Sequence, residues 1–316
     1  MSSLEFVVEI VGHLITILVF SSIAAYMVFR RSVLRRTTRR ASMVYWLVIL
    51  VSLFFAVVNV VGMFYLRRHS DIRFLAMGDL FSESPSVIAQ GLLILVIISF
   101  KVVAEKKGKL KRVLAIGAHP DDIEIACGGT LAKMHDAGYL IRGIVMACGE
   151  KGGDPNVRPI EAHKGASFLG LDQVQVFHFM DTRLQEQSQE ILTVIENAIL
   201  DFQPDIILTH SHHDQHQDHQ AVHDATLRAA RNKSTILCYE SPSTTNDFIP
   251  SLFVDIGDYI DVKIESIREH WDQRGKPYVQ QERVRGVALF RGGQAKIRAA
   301  EGFEVIRALS TSLGEV

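Results

Sequence analysis

Residues 112–122 read RVLAIGAHPDD, in which an apolar run ends in a histidine, a proline and two adjacent aspartates. The short aliphatic run 112–118 predicts a buried β-strand. The polar residues His119 to Asp122 would then lie at the carboxyl end of that strand. Two neighbouring carboxylates repel each other, so this position calls for a nearby cation or a helix N-terminus to offset their charge.

Similar apolar runs alternate with amphipathic stretches along the next hundred residues. Strands are predicted at 112–118, 140–147, 174–179 and 204–210, and helices at 127–138, 158–170, 189–202 and 219–232. This alternation predicts an α/β domain with a Rossmann-like, mostly parallel sheet and helices on both faces. Ligands of such sheets bind at the carboxyl ends of the strands.

A second polar segment, HSHHDQHQDHQAVH (210–223), follows the strand predicted at 204–210 and holds six histidines and two aspartates in fourteen residues. Both polar segments therefore fall at the same edge of the predicted sheet. A histidine-rich metal-storage tract is the alternative. The spacing of the histidines and the helical pattern into which they run favour a built site.

The first polar segment has the spacing of a metal site. His119 and Asp122 are three residues apart, so both side chains reach one space if the chain enters a helix there. With one distant histidine they would give three ligands for zinc and leave a fourth position open to water. Asp121 would then be available as a general base. The alternative is that Asp121 and Asp122 only cap the helix.

The first hundred residues are different in composition. Apolar runs at 6–29, 43–66 and 86–103 predict an all-α transmembrane region of about three helices. A 24-residue run gives a helix of roughly 36 Å, longer than a hydrocarbon core of about 30 Å. The third run is weaker, and a buried or re-entrant helix is its alternative. The predicted organisation is a membrane region at 1–104, a basic linker at 105–111 and the α/β domain at 112–316.

Charge distribution predicts how this chain is oriented. Six arginines lie between residues 30 and 40, and six basic residues lie between 101 and 112. The positive-inside rule then predicts an integral membrane protein with its N-terminus outside and its α/β domain in the cytoplasm. Overall, 34 basic and 35 acidic residues nearly cancel, which argues against a nucleic-acid partner. Three cysteines are too few for a disulfide framework, as expected in a reducing compartment.

Two longer motifs, GAHPDDIEIACGGTLA (117–132) and DQHQDHQAVH (214–223), resemble the LmbE/PIG-L family of zinc-dependent N-acetylglucosaminyl deacetylases, which includes the bacterial deacetylases of the bacillithiol pathway. Six further stretches match that family in order: ACGEKGG, RPIEAHKGASFLG, FMDTRL, PDIILTH, YESPST and AAEGFEV. The resemblance covers roughly Arg112 to Ala308, about two thirds of the chain.

The resemblance implies a set of metal and catalytic residues. His119, Asp122 and His219 would bind Zn²⁺, with another divalent metal as the alternative, and Asp121 would be the general base. His216 would stabilise the oxyanion or protonate the leaving amine.

Other positions of the family pattern are less uniform. Asp218 would orient His216, and Arg158 and Asp181 fall where relatives contact the sugar, although each is also explained by an ion pair at the surface. Gln215 and Gln217 stand where many relatives have an arginine and a proline, so an oxyanion role for such an arginine does not carry over.

Four histidines of the second segment remain. His212 and His213 are interpreted as solvated loop residues, with a ligand role as the alternative, and His223 as a core residue or a partner of a ligand. His210, at the end of the predicted strand, has no assigned role.

The resemblance implies hydrolysis of an acetamide on an N-acetylglucosamine-containing substrate. Because a soluble sugar needs no membrane region, we expect a lipid-linked substrate at the cytoplasmic membrane face. Two alternatives remain: a deacetylase of a soluble N-acetylglucosamine glycoside that is merely tethered to the membrane, and a non-catalytic metal-binding membrane scaffold or sensor. Asp121 argues against the last, since a sensor needs no general base.

Overall fold

The computed structural model describes residues 3–29, 41–68, 88, 91–92, 111–231 and 234–310. The chain forms two compact units, Met1–Val103 and Ala104–Val316. The first unit corresponds closely to the predicted membrane region, and the second holds the predicted α/β domain.

The first unit contains two long helices that pack against each other, α1 (Ser3–Phe29) and α2 (Ala41–Arg68). The rings of Phe20 and Phe55 stack with centroids 5.3 Å apart. His13 Nδ1 lies 2.8 Å from Asn59 Oδ1, in a buried contact between the two helices. Several apolar side chains point away from this contact and are exposed: Leu14, Leu18, Leu50, Phe54 and Val57.

No helix in the described ranges is both long enough and apolar enough to cross a membrane. The structure therefore does not support the predicted transmembrane region. The first two predicted spans, 6–29 and 43–66, coincide with α1 and α2. Most of the third, 86–103, and nearly all of the basic linker lie outside the described residues. The predicted orientation rests on loops that also lie outside them, so it stays a prediction.

The second unit is built on a seven-stranded sheet with the order β3-β2-β1-β4-β5-β7-β6. Its strands are β1 (Arg112–Gly117), β2 (Leu140–Ala147), β3 (Gln173–Phe179), β4 (Ile206–His210), β5 (Thr235–Tyr239), β6 (Leu252–Asp255) and β7 (Ala300–Arg307). All neighbouring pairs are parallel except those made by β7, which runs antiparallel to β5 and β6. The predicted mixed α/β fold is confirmed.

The helices of this unit lie on both faces of the sheet. They are α3 (Asp122–Asp136), α4 (Arg158–Leu169), α5 (Ser188–Phe202), α6 (Gln217–Ala229), α7 (Ile260–Arg268) and α8 (Gln281–Ala295). Along β1, Val113 and Ala115 pack into one core with α3, α4, α7 and α8, whereas Leu114 and Ile116 pack into the other with α5 and α6. This alternation is the two-residue period of a strand that is covered on both sides.

The sheet brings the two polar segments together. Strand β1 pairs with β2 on one side and with β4 on the other. The chain builds outward from β1 through β2 and β3 and then returns to place β4 beside β1. A crevice opens at the carboxyl ends of strands at such a reversal, and both polar segments leave their strands there.

A buried ion pair stabilises a break in α3. Cys127 has a non-helical φ of −134°. Just beyond it, the backbone N–H groups of Gly129 and Thr130 donate to the Glu301 carboxylate at 2.9 and 2.7 Å. Lys263 Nζ lies 2.6 Å from the same carboxylate. Glu301 thus bonds both to the helix and to the buried ammonium group.

Replacing Glu301 should strongly destabilise this unit. The change Glu301→Ala leaves the buried Lys263 ammonium without its counter-charge, and we expect the free energy of unfolding to fall by about 3–5 kcal/mol. Urea denaturation of the full chain measures this loss. The double variant Lys263→Met/Glu301→Gln should lose less, since it buries no lone charge. A loss below about 1 kcal/mol for Glu301→Ala would contradict this reading of the pair.

Candidate active site

The turn between β1 and α3 has a strained backbone. Asp121 has a φ of 110°, which non-glycine residues rarely adopt and which costs on the order of 1–3 kcal/mol. Helix α3 begins at the next residue, Asp122. One oxygen of the Asp122 carboxylate accepts hydrogen bonds from the backbone N–H groups of Ala118, at 3.0 Å, and His119, at 2.7 Å. The turn therefore fixes Asp122.

The Asp122 carboxylate is surrounded by imidazoles from both polar segments. His210 Nε2 lies 3.2 Å from one carboxylate oxygen, His219 Nε2 lies 3.5 Å from the other, and His119 Nδ1 is 3.7 Å away. Burial alone would raise the pKa of Asp122, but the interactions with His219 and His210 and the hydrogen bond with His119 hold it well below its usual value. Asp122 is therefore an anion in the folded protein.

The donor atoms of this cluster are close enough for a metal. One nitrogen from each of His119, His216 and His219 lies within 4.8 Å of the others, and the same holds for donor atoms of Asp122, His210 and His219. The predicted ligands His119, Asp122 and His219 are divided between these two groups, which share His219. Two imidazoles and one carboxylate form a donor set that zinc commonly takes in catalytic sites. The group of Asp122, His210 and His219 therefore fits zinc by its donor types, and the predicted trio of His119, Asp122 and His219 does not itself form one of these groups.

Asp214 contacts the ring nitrogen of His219 that faces away from Asp122. Its carboxylate lies 2.9 Å from His219 Nδ1, which directs the other ring nitrogen towards Asp122. Ser241 and Ser243 donate hydrogen bonds to the same carboxylate. Although burial lowers the pKa of His219, Asp122 and Asp214 together raise it to about 9. A carboxylate on the second nitrogen of a histidine is the usual support of a metal ligand. Asp214 was not predicted as a site residue.

Asp121 lies beside this cluster and is almost completely buried, with 4% of its surface exposed. Its Oδ1 is 3.3 Å from Arg158 Nη2. Its Oδ2 has no hydrogen-bond partner among the described residues. Burial raises the pKa of Asp121 to about 6, although Arg158 acts in the opposite direction. A carboxylate with a pKa just below neutrality and an unoccupied lone pair is suited to accept a proton.

The two predicted sugar contacts, Arg158 and Asp181, are buried at the site and do not lie on the surface. Their role in sugar binding stays a prediction. The Arg158 guanidinium donates to the backbone carbonyls of Gly149, at 2.8 Å, and Pro120, at 2.7 Å. Asp181 Oδ1 lies 3.0 Å from His119 Nε2.

Asp218 was expected to orient His216, and it contacts that ring through its backbone N–H and not through its carboxylate. Its carboxylate accepts hydrogen bonds from the backbone N–H groups of Thr182 and Leu184 and lies 3.1 Å from His119 Nε2. The backbone N–H of Asp218 donates to His216 Nδ1 at 3.2 Å. Because Nδ1 accepts a hydrogen bond, a neutral His216 carries its proton on Nε2. Burial, together with His219 and His119, lowers the pKa of His216 and favours this neutral form.

The remaining histidines occupy distinct surroundings. His210, unassigned from the sequence, is fully buried against Asp122. His212 is exposed, and His213 is partly exposed and pairs with Glu304 at 2.8 Å. His223 is buried.

One buried histidine near Asp121 was also missed, because its sequence neighbourhood carries no motif. His270 lies 3.5 Å from the carboxylate of Glu124, one turn into α3. Burial tends to lower the pKa of His270, but Glu124 and Asp121 raise it overall.

Comparison with known proteins identifies the family of this chain. The family model PIG-L, described as GlcNAc-PI de-N-acetylase, matches residues 114–230. An uncharacterized deacetylase of Escherichia coli K12, YaiS, is 37% identical over 169 residues, which is 51% of this chain and 91% of that protein. The chain belongs to the PIG-L family. Diacetylchitobiose deacetylase of Thermococcus kodakarensis is 30% identical over 241 residues, which is 66% of this chain and 88% of that protein.

Solved structures confirm the fold of this PIG-L family member without fixing its reaction. The 4-carboxy-2-hydroxymuconate hydratase GalB of Pseudomonas putida has a TM-score of 0.56 and 23% identity, over 63% of this chain and 98% of that protein. The same fold therefore holds a hydratase, and the reaction must be argued from individual side chains.

The buried Asp121 carboxylate should make stability depend on pH. Because its pKa rises from 3.8 to about 6 on folding, the group stabilises the fold fully below about pH 4, and that stability is lost as the pH rises through about 6. The loss amounts to about 3 kcal/mol. Asp121→Asn keeps the shape and tolerates the same φ. In metal-free protein, the variant should therefore gain stability relative to wild type between pH 4 and 7.

Denaturant unfolding of both proteins at several pH values measures this gain. Taking the difference between the two proteins removes the contributions of Asp122, Asp181 and Asp214, which titrate in both. A difference that stays constant from pH 4 to 7 would show that Asp121 is not held in a desolvated site.

Proposed function

We propose that this PIG-L family member is a Zn²⁺-dependent deacetylase that hydrolyses the acetamide of an N-acetylglucosamine-containing substrate. The products would be acetate and a glucosaminyl compound. The observation that carries the proposal is Asp121, a buried carboxylate with a pKa of about 6 and an unpartnered oxygen, placed beside a zinc-type donor set. The deacetylases among the relatives support the reaction class.

In this proposal His119, Asp122 and His219 hold the metal. When bound, zinc supplies a Lewis acid that polarises the amide carbonyl and lowers the pKa of water. Asp214 keeps the ring of His219 in place through the contact at Nδ1. The hydrogen bonds from Ala118 and His119 hold the Asp122 carboxylate in one orientation.

Asp121 would accept the proton of the attacking water on Oδ2. Its pKa leaves it ionised at neutral pH and still basic enough for the transfer. Arg158 positions it, because the guanidinium bonds both to the Asp121 side chain and to the carbonyl of Pro120 in the same turn. Arg158 and Asp181 would also bind hydroxyl groups of the sugar.

His216 would act on the opposite side of the reacting amide. With Nδ1 accepting from the Asp218 backbone, Nε2–H is a donor for the oxyanion that develops during attack. The proton that Asp121 accepts from the attacking water is then available to the leaving amine.

A pair of measurements on variants tests this division of roles. Asp121→Asn should keep bound zinc but lower acetate release from diacetylchitobiose by about 100- to 10,000-fold, as expected for loss of a general base. His119→Ala and Asp122→Ala should lose zinc as well as activity. Zinc is measured by elemental analysis of protein dialysed against a weak chelator.

Two outcomes would overturn the proposal. Full activity of Asp121→Asn would remove the general base. Zinc binding by wild type without acetate release from any N-acetylglucosamine compound would favour the non-catalytic sensor instead.

We further propose that the substrate is lipid-linked and is presented at the cytoplasmic membrane face. The support is the composition of the first unit, in which α1 and α2 expose apolar side chains such as Leu18, at 69%, and Phe54, at 62%. Exposed apolar surface of this kind is typical of a contact with lipid or protein.

The lipid-linked substrate can be tested on the full chain. In vesicles, kcat/KM for N-acetylglucosaminyl-phosphatidylinositol should exceed that for a soluble N-acetylglucosamine glycoside by about tenfold or more, which corresponds to about 1.4 kcal/mol of additional binding. Equal values for the two substrates would support the tethered enzyme of soluble glycosides instead.

A further inference from the structure

A second group of metal-type ligands lies outside the candidate active site. Donor atoms of His212, His223 and Asp224 lie within 4.8 Å of one another. His212 lies in the loop that follows β4, and the other two residues lie on α6, one turn beyond His219. None of the three has a role in the proposed deacetylation.

The buried member of this group is prepared for a metal. His223 is 4% exposed, and its Nδ1–H donates to the backbone carbonyl of His210 at 2.9 Å. The lone pair of the neutral ring is therefore on Nε2, which is left as the nitrogen that can bind a metal. A ring nitrogen that donates to a backbone carbonyl is the usual arrangement behind a histidine that binds a metal through its other nitrogen. Burial lowers the pKa of His223, which favours the neutral ring.

The exposed members can close around an ion. His212 Nδ1 is 4.0 Å from Asp224 Oδ1, and their side chains are 66% and 53% exposed, so both rotate easily. Two imidazoles with one carboxylate favour zinc and similar transition metals, whereas magnesium and calcium prefer oxygen ligands.

We propose that His212, His223 and Asp224 form a second site for Zn²⁺, distinct from the one at Asp122. It binds more weakly than the first, because two of its three ligands lose side-chain freedom when they bind. His210 connects the two sites, since its carbonyl orients His223 while its ring contacts Asp122.

Calorimetric titration of the metal-free full chain with zinc tests this proposal. Wild type should bind two equivalents of zinc, the second at least tenfold more weakly. His212→Ala and Asp224→Asn should each lose only the second equivalent and keep acetate release at low zinc. His213→Ala is the matched control, because it removes the neighbouring histidine, which pairs with Glu304 instead.

Cobalt gives an independent readout, because Co²⁺ bound to nitrogen ligands has characteristic absorption bands. A second equivalent of Co²⁺ should increase these bands in wild type and in His213→Ala, but not in His212→Ala or Asp224→Asn. A single equivalent in wild type would overturn the proposal. So would an equal loss of the second ion in His212→Ala and His213→Ala, which would indicate a loose histidine-rich surface. These outcomes do not depend on which substrate the first site hydrolyses.

Discussion

The contacts of the Asp122 carboxylate are the constraint on which the candidate site depends. One side chain accepts two backbone hydrogen bonds from the end of β1 and meets imidazoles that enter from the end of β4 and from α6. Burying an ionised carboxylate is costly unless such partners surround it. The two polar segments are about ninety residues apart in sequence, so the parallel pairing of β1 with β4 is what brings them together.

Asp121 and Asp122 are chemical equals in the sequence, and their surroundings make them different. Asp122 sits among imidazoles and backbone donors and has a depressed pKa, whereas Asp121 is turned away by a strained φ into a site with fewer partners and has a raised pKa. Strain and desolvation at Asp121 reduce the stability of the fold, and the packing of the rest of the α/β core offsets that loss. One carboxylate is suited to remain an anion beside a metal and the other to exchange a proton.

Much of the fold was predictable because β1 to β4 are short apolar runs and the intervening helices are amphipathic. The segments after residue 234, from β5 to β7, were not assigned individually, because β6 has only four residues and β7 pairs antiparallel, outside the strand–helix alternation of a parallel sheet. In the site, the motif residues were predictable from spacing and resemblance. Asp214, His210 and the pair Glu124–His270 were not, because their partners are chosen by three-dimensional packing. The apolar N-terminal runs predicted helices correctly, but a membrane span was not supported.

A zinc-edge anomalous diffraction map of zinc-loaded crystals would locate the metal. We expect a peak about 2.0–2.2 Å from one nitrogen each of His119 and His219 and from one oxygen of Asp122, typical of zinc. Asp121 should lie near the peak without being a ligand. A peak held by Asp122, His210 and His219, with His119 turned away, would contradict the central claim.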